Sequence, residues 1–157
     1  MATKQLKSRQ EGLEYARTYC AKQEKCRKEV RDKLVKQGLA KEDAVWVAEQ
    51  LVKENYINEQ RYADLYVQSK INQNRWGRIK IKRMLLSMGI PVDCINKACS
   101  KIDEQQYKKV LEYLFTRKLS SLKVEDDYQR KYRLRYFLSS HGFENDLIEE
   151  VFSENYI

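Results

Sequence analysis

Three glycines divide this chain into three copies of one pattern. Gly38, Gly89 and Gly142 lie 51 and 53 residues apart, near the upper end of the spacings that indicate a repeat array. Apolar residues superpose when the copies are aligned on these glycines, as Val30/Ile81/Leu134, Leu34/Leu85/Leu138 and Leu39/Ile90/Phe143. The first two sets are four residues apart, which is the spacing of one helix face. Each copy therefore predicts an amphipathic helix that ends at its glycine.

The composition favours helices in the rest of the chain as well. Only five glycines and one proline occur among 157 residues, too few for the turns of an all-β protein. We predict an all-α fold of three tandem three-helix repeats. The predicted segments are a flexible basic tail at residues 1–9 and repeats at residues 10–58, 59–102 and 103–157. Units of this size are small, so stacking on neighbours is expected to supply much of their stability.

The positive charge is concentrated in the second repeat. The chain has a net charge of +8, and residues 60–102 alone hold nine basic and two acidic side chains. Residues 1–59 have a net charge of +3 and residues 103–157 a net charge of −2. A concentrated basic surface implies an acidic partner, which is nucleic acid, a nucleoprotein or an acidic protein face.

The run from Arg75 to Ile90 contains most of this charge. No acidic residue occurs between Asp64 and Asp93, and arginine pairs in bidentate fashion with phosphate or carboxylate. On a helix, Arg75, Arg78 and Lys82 would line one flank of the apolar stripe. Trp76, beside Gly77, is interpreted as a packing residue. The candidate partner-binding or DNA-binding residues of this run are Arg75, Arg78, Lys80, Lys82 and Arg83.

A second, weaker basic surface is predicted in the third repeat. Cations alternate there with Tyr132 and Tyr136, a pattern that can follow a nucleic-acid backbone. Asp126 and Asp127 lie close upstream and partly offset the charge. The candidate binding residues of this surface are Lys131, Arg133 and Arg135.

Sequence motifs for catalysis and for metal or cofactor binding are absent. The chain has no glycine-rich phosphate loop, no G-x-S-x-G, no H-E-x-x-H and only one histidine. Its four cysteines include no C-x-x-C pair, so neither a zinc site nor a disulfide framework is expected. We predict a monomeric cytoplasmic protein that is not an enzyme, needs no cofactor and has no membrane segment.

The junction between the first two repeats has recognisable capping chemistry. Asn58 is a predicted N-cap, and Ile57 and Tyr62 have the spacing of a hydrophobic staple. The whole segment Asn55-Tyr56-Ile57-Asn58-Glu59-Gln60-Arg61-Tyr62-Ala63 resembles the junction motif of the RecX family, although Glu59 replaces that family's more typical aspartate. Further similarities are Gly77-Arg78-Ile79, Gly89-Ile90, Gly38-Leu39 and Gly142-Phe143, so the resemblance covers about residues 10–157.

This resemblance implies both a fold and a function. RecX-like proteins are all-α arrays of three three-helix repeats, bent into an elongated, curved shape. They bind in the groove of the RecA–DNA filament and limit its extension, ATP hydrolysis, strand exchange and coprotease activity. The implied context is DNA repair, homologous recombination and the SOS response. The expected partner is the RecA nucleoprotein filament, with single-stranded or double-stranded DNA as a possible additional ligand.

Two other functions remain compatible with the same residues. A direct DNA-binding regulator would use helix-turn-helix-like pairs of helices. A helical scaffold would bind only an acidic protein. Basic residues alone do not separate these alternatives from a filament regulator.

Overall fold

The computed structural model describes residues 5–156, and all regular secondary structure in that range is α-helical. This confirms the predicted all-α class. The helices are α1 (Arg9–Lys22), α2 (Arg27–Lys36), α3 (Lys41–Lys53), α4 (Glu59–Asn72), α5 (Arg78–Ser87), α6 (Val92–Ser100), α7 (Glu104–Ser121), α8 (Asp127–Ser140) and α9 (Asn145–Asn155).

The repeated glycines end the second helix of each trio. Gly38, Gly89 and Gly142 follow α2, α5 and α8 with φ values of 100°, 75° and 94°, a left-handed conformation that disfavours other residues. Two helices of the third trio begin at capping aspartates. Asp103 and Asp126 cap α7 and α8 by accepting backbone amide hydrogens.

The predicted tail at residues 1–9 differs from the structure in its second half. Residues 1–4 lie outside the described range. The Leu6 side chain is 1% exposed, its amide donates to the Gln37 carbonyl at 2.8 Å, and α1 already begins at Arg9. Leu6 contributes to the core of the first repeat, so it is ordered by burial despite the basic residues around it.

The helices separate into two compact units. The first holds the described residues up to Ala63 together with Leu86–Cys94, and the second holds Asp64–Leu85 and the residues from Ile95 onward. In the first unit, α1 packs on α2 and α3. Its buried residues include Leu13, Ala16, Val30, Leu34, Val47, Leu51 and Ile57.

The junction after α3 belongs to the first unit. Asn58 accepts the Arg61 amide at 2.9 Å, which confirms the predicted N-cap, and both Ile57 and Tyr62 are buried. The carboxylate of Glu59 is also buried and accepts from Arg27 Nη1 at 2.5 Å. Arg27 donates in addition to the more exposed Glu49 at 2.8 Å.

In the second unit, α7 packs on α8 and α9, and α8 packs on α9. Phe115 of α7 meets Phe152 of α9 edge to face, with ring centroids 5.0 Å apart. The inner face of α7 consists of four buried residues: Tyr107, Val110, Leu111 and Leu114. Within residues 5–156, no helix combines the length and the apolar character that crossing a bilayer requires.

Candidate partner-binding surface

The start of α5 is held by the turn between α8 and α9, within the second unit. The Gly77 amide donates to the His141 carbonyl at 2.7 Å, and the Ile79 amide donates to the Gly142 carbonyl at 3.0 Å. These bonds satisfy amides that the first turn of a helix leaves unpaired. Helix α5 accordingly begins at Arg78.

Arg75 consequently lies outside the helix, which corrects the prediction that it lines one flank with Arg78 and Lys82. Its φ is 56°, and it belongs to the loop before α5. The Arg75 carbonyl lies 3.2 Å from His141 Nδ1, and its guanidinium lies 4.4 Å from the centre of the Tyr113 ring. The helical continuation assumed from sequence is interrupted because Gly77 docks against the α8–α9 turn.

Arg78 is engaged inside the protein. Its side chain is 19% exposed and forms salt bridges with Glu104 and Glu144, with Nε donating to Glu144 at 3.0 Å. The guanidinium lies 4.2 Å from the centre of the Tyr107 ring. Tyr107 also accepts the Arg78 amide at 2.9 Å and donates its hydroxyl hydrogen to Glu144 at 2.5 Å. This side chain therefore joins α5 to α7 and to Glu144, the N-cap residue of α9, unlike the partner-facing cation that the charge pattern predicts.

The protonation states of this cluster follow from its contacts. Burial lowers the pKa of Arg78, but its hydrogen bonds to Glu144 and Glu104 outweigh that effect and raise the pKa above its ordinary value. Burial and the hydrogen bond to Glu144 both raise the pKa of the Tyr107 hydroxyl. The cluster thus holds a fixed cation, Arg78, and a neutral phenol, Tyr107, beside the side chains of Glu104 and Glu144.

The other cations of α5 remain available to a partner. Lys82 and Arg83 are exposed and form no salt bridge with any carboxylate in residues 5–156. The ammonium of Lys80 lies 4.3 Å from the centre of the Trp76 ring, and Lys70 lies 4.8 Å from it. Trp76 is half-buried and, as well as packing, holds two lysines by cation–π attraction.

The three candidate cations of α8 differ from one another. Lys131 pairs with Asp127 at 3.1 Å, and Arg135 pairs with Glu149 at 2.6 Å. Arg133 is exposed and forms no ion pair in the described part of the chain. Of this group, Arg133 has the least neutralised charge.

A groove of about 250 Å³ adds cations that the sequence did not single out. Arg117 donates to the Tyr113 hydroxyl at 2.8 Å, and Lys118 lies 4.8 Å from the centre of the Phe137 ring. The spacing of four residues between Tyr113 and Arg117 is the one available sequence signal, since such pairs meet on a helix. No acidic residue lines the groove, whose lining includes Arg75, Tyr113, Arg117, Lys118, Ser121 and Phe137.

The arrangement suits binding of anions. Cations resting on aromatic rings are held in place without being neutralised, so they can attract phosphate or carboxylate groups. Within residues 5–156, no cluster of three or more histidine, cysteine or acidic side chains is placed to hold a metal ion.

Comparison with known proteins identifies relatives for most of the chain. Residues 58–98 match the family model for the second three-helix domain of RecX, and residues 104–152 match the model for its third three-helix domain. The regulatory protein RecX of Clostridium botulinum (strain Eklund 17B / Type B) is 36% identical over 133 residues, covering 83% of this chain and 61% of that protein. The regulatory protein RecX of Clostridium perfringens (strain 13 / Type A) is 32% identical, covering 81% of this chain and 60% of the relative. The chain thus spans about 60% of the length of these curated relatives.

Solved structures agree on the fold. The crystal structure of RecX from Lactobacillus salivarius has a TM-score of 0.79 at 23% identity, covering 93% of this chain and 95% of that one. A second crystal structure of a regulatory protein RecX has a TM-score of 0.85 at 18% identity, covering 92% and 73% of the two chains. Together with the two matched domain models, these similarities establish that the chain belongs to the RecX family.

Proposed function

We propose that this protein is a negative regulator of the RecA recombinase. It binds in the groove of the RecA–DNA filament and inhibits ATP hydrolysis, strand exchange and coprotease activity. It acts in the cytoplasm as a monomer and without catalytic activity of its own. Membership of a family of regulatory proteins supports this role.

The observation that supports it most directly is the state of the α5 cations. Lys82 and Arg83 are exposed in the most basic repeat, and neither is neutralised by a carboxylate within residues 5–156. Lys80 is held against Trp76 and forms no salt bridge within residues 5–156. These three side chains contact acidic residues of the recombinase or phosphates of its DNA, while Arg78 positions the helix that presents them.

The distribution of charge among the helices bears on the main alternative function, that of a direct DNA-binding regulator with helix-turn-helix-like pairs of helices. The second helices of the three trios, α2, α5 and α8, have net charges of +3, +4 and +3. The third helices, α3, α6 and α9, have net charges of −1, 0 and −4. In a three-helix unit of the homeodomain type, the third helix reads bases in the major groove, between the phosphate backbones. Helices as acidic as α9 do not suit that position, so charge disfavours a DNA reader of this type. Charge does not oppose recognition by the basic helices α2, α5 and α8, which the naked-DNA arm of the co-sedimentation test separates from filament binding.

The test is RecA ATPase activity on single-stranded DNA, titrated with the wild-type chain and with the variant K82A/R83A. Removing two exposed charges at the contact is expected to raise the inhibitory concentration about threefold to tenfold. The matched control is K22A/K53A, which removes two exposed lysines from α1 and α3 and is expected to inhibit like wild type.

Co-sedimentation with RecA alone, with RecA on single-stranded DNA and with naked DNA completes the test. Binding to the filament in preference to either component supports the proposal. Inhibition by K82A/R83A equal to that of wild type removes the role of α5. Failure of the wild-type chain to bind or inhibit the filament removes the proposed function itself.

A further inference from the structure

Helix α8 exposes three tyrosines along one face. Tyr128, Tyr132 and Tyr136 are 73%, 60% and 68% exposed, more than any other large apolar or aromatic side chain among residues 5–156. They are spaced four residues apart, so each ring lies one turn, or about 6 Å, beyond the previous one. We refer to these three residues as the tyrosine face.

Nothing in the described part of the protein holds these rings. None of the three hydroxyls forms a hydrogen bond within residues 5–156, and no aromatic ring or cation packs on them. Other tyrosines of the second unit are engaged, as Tyr107 is with Glu144 and Tyr156 with Asp127. Packing of the fold therefore does not account for the tyrosine face, and aligned exposed aromatics are typical of binding surfaces.

The charge beside the tyrosine face is positive. Arg133 is exposed between Tyr132 and Tyr136, and Phe137, one turn further on, lines the groove that holds Arg75, Arg117 and Lys118. No acidic residue occurs between Asp127 and Glu144 in the sequence. The end of the helix near Tyr128 is less favourable to an anion, because Asp126 and Asp127 lie there. Of the three tyrosines, Tyr132 and Tyr136 therefore lie nearer to positive charge along the helix, and Tyr128 lies nearer to negative charge.

We propose that the tyrosine face is a stacking platform for single-stranded nucleic acid. Bases stack on Tyr132 and Tyr136, and the phosphates are attracted by Arg133 and by the cations of the groove. Aromatic rings next to a basic groove are the combination by which proteins bind single strands without sequence preference.

The composition of the surface favours nucleic acid over a protein partner. A helix that docks into a protein groove presents apolar anchors at helical spacing, usually with aliphatic members. The exposed residues of α8 include no aliphatic side chain; they are Asp127, Tyr128, Gln129, Tyr132, Arg133, Tyr136, Ser139 and Ser140. Flat rings, hydroxyls and a guanidinium are suited to bases and phosphates.

The experiment measures binding of the full chain to a fluorescein-labelled oligothymidylate by fluorescence anisotropy, without recombinase. The variant Y132L/Y136L retains apolar bulk but removes the flat rings, and its dissociation constant is expected to rise about tenfold or more. The variant Y132F/Y136F keeps the rings and is expected to bind within about twofold of wild type. The control Y56L changes an exposed tyrosine of the first unit and is expected to have no effect.

Two further measurements examine the groove and the type of strand. The variant R117A/K118A is expected to reduce the slope of log Kd against log salt by about 1.4, since two phosphate contacts with a single strand are lost. Duplex of the same length is expected to bind more weakly than the single strand, because its bases are already stacked. Circular dichroism and thermal unfolding of each variant establish that it is folded like wild type.

Equal binding of the oligothymidylate by wild type and Y132L/Y136L, or tighter binding of duplex, overturns the proposal. It is also overturned if Y132L/Y136L loses association with RecA in the absence of DNA while keeping its affinity for the oligonucleotide, since the tyrosine face is then a protein-docking surface. The binding assay contains no recombinase, so its failure leaves the proposed regulation of RecA untouched.

Discussion

The backbones of Gly77 and Gly142 lie in direct contact. A β-carbon on Gly77 would come within 2.3 Å of the Gly142 carbonyl carbon, and one on Gly142 would come within 2.6 Å of the Lys80 backbone nitrogen. Both distances are shorter than any side chain tolerates. The start of the most basic helix is therefore held by backbone contacts that only glycine permits.

Gly142→Ala is expected to destabilise the protein by about 2–4 kcal/mol. The substitution combines the strain of a left-handed residue with a clash against the backbone of α5. Gly89→Ala is the matched control. Gly89 has a φ of 75° but no atom near its missing β-carbon, so the control is expected to cost only about 1 kcal/mol. Urea unfolding measures both, and equal losses would contradict the tight approach at Gly142.

Arg78→Met is expected to cost about 2–3 kcal/mol of unfolding free energy. It leaves Glu144, which is 25% exposed, without its cation, and leaving one partner of a largely buried pair is strongly unfavourable. Lys82→Met, on the same helix but exposed and without a salt bridge in the described residues, is expected to change stability by less than about 0.5 kcal/mol. The double variant R78M/E144Q should recover part of the loss. If Arg78→Met is as mild as Lys82→Met, Arg78 has no positioning role.

Glu59→Ala is expected to cost about 2 kcal/mol, whereas Glu49→Ala is expected to cost about 0.5 kcal/mol or less. Both carboxylates bind Arg27, but the Glu59 side chain is 8% exposed and that of Glu49 is 49% exposed. Water screens the exposed pair, while the buried one is screened little. The comparison is made by denaturant unfolding of the two variants. A larger effect of Glu49→Ala would contradict the burial order.

Acid should weaken the third repeat through two surface carboxylates. The hydrogen bond from Arg135 lowers the pKa of Glu149 below its ordinary 4.5, and hydrogen bonds from Tyr156 and Lys131 lower the pKa of Asp127 below its ordinary 3.8. A lowered folded-state pKa contributes stability that is present above the unfolded-state pKa and is lost as the pH falls through the folded-state pKa. As the pH is lowered from about 5, the urea midpoint of the variant D127N/E149Q is therefore expected to fall less steeply than that of wild type. Identical slopes for the two proteins would exclude this contribution.

The sequence alone determined the helical architecture. The repeats were predicted from the stripe of Ile81 and Leu85, from its counterparts in the other copies and from the glycine after each copy. These signals are readable from sequence because helical periodicity and positive φ are local properties of a few neighbouring residues. The cap Asn58 was predicted for the same reason, since it acts on an amide of the helix that follows it.

Only the tertiary structure decided which cations are available. Arg78 and Lys82 have the same charge on the same helix, yet Arg78 meets Glu104 and Glu144, which are 26 and 66 residues away in sequence. Helix α5 begins only at Arg78, which leaves Arg75 outside it, because the Gly77 amide donates to the His141 carbonyl, another long-range contact. A charge pattern records only the order of charged residues along the chain, whereas neutralisation of a cation depends on its distance from carboxylates in the folded protein. For that reason the basic repeat was recognisable from its sequence, but the residues that present its charge were not.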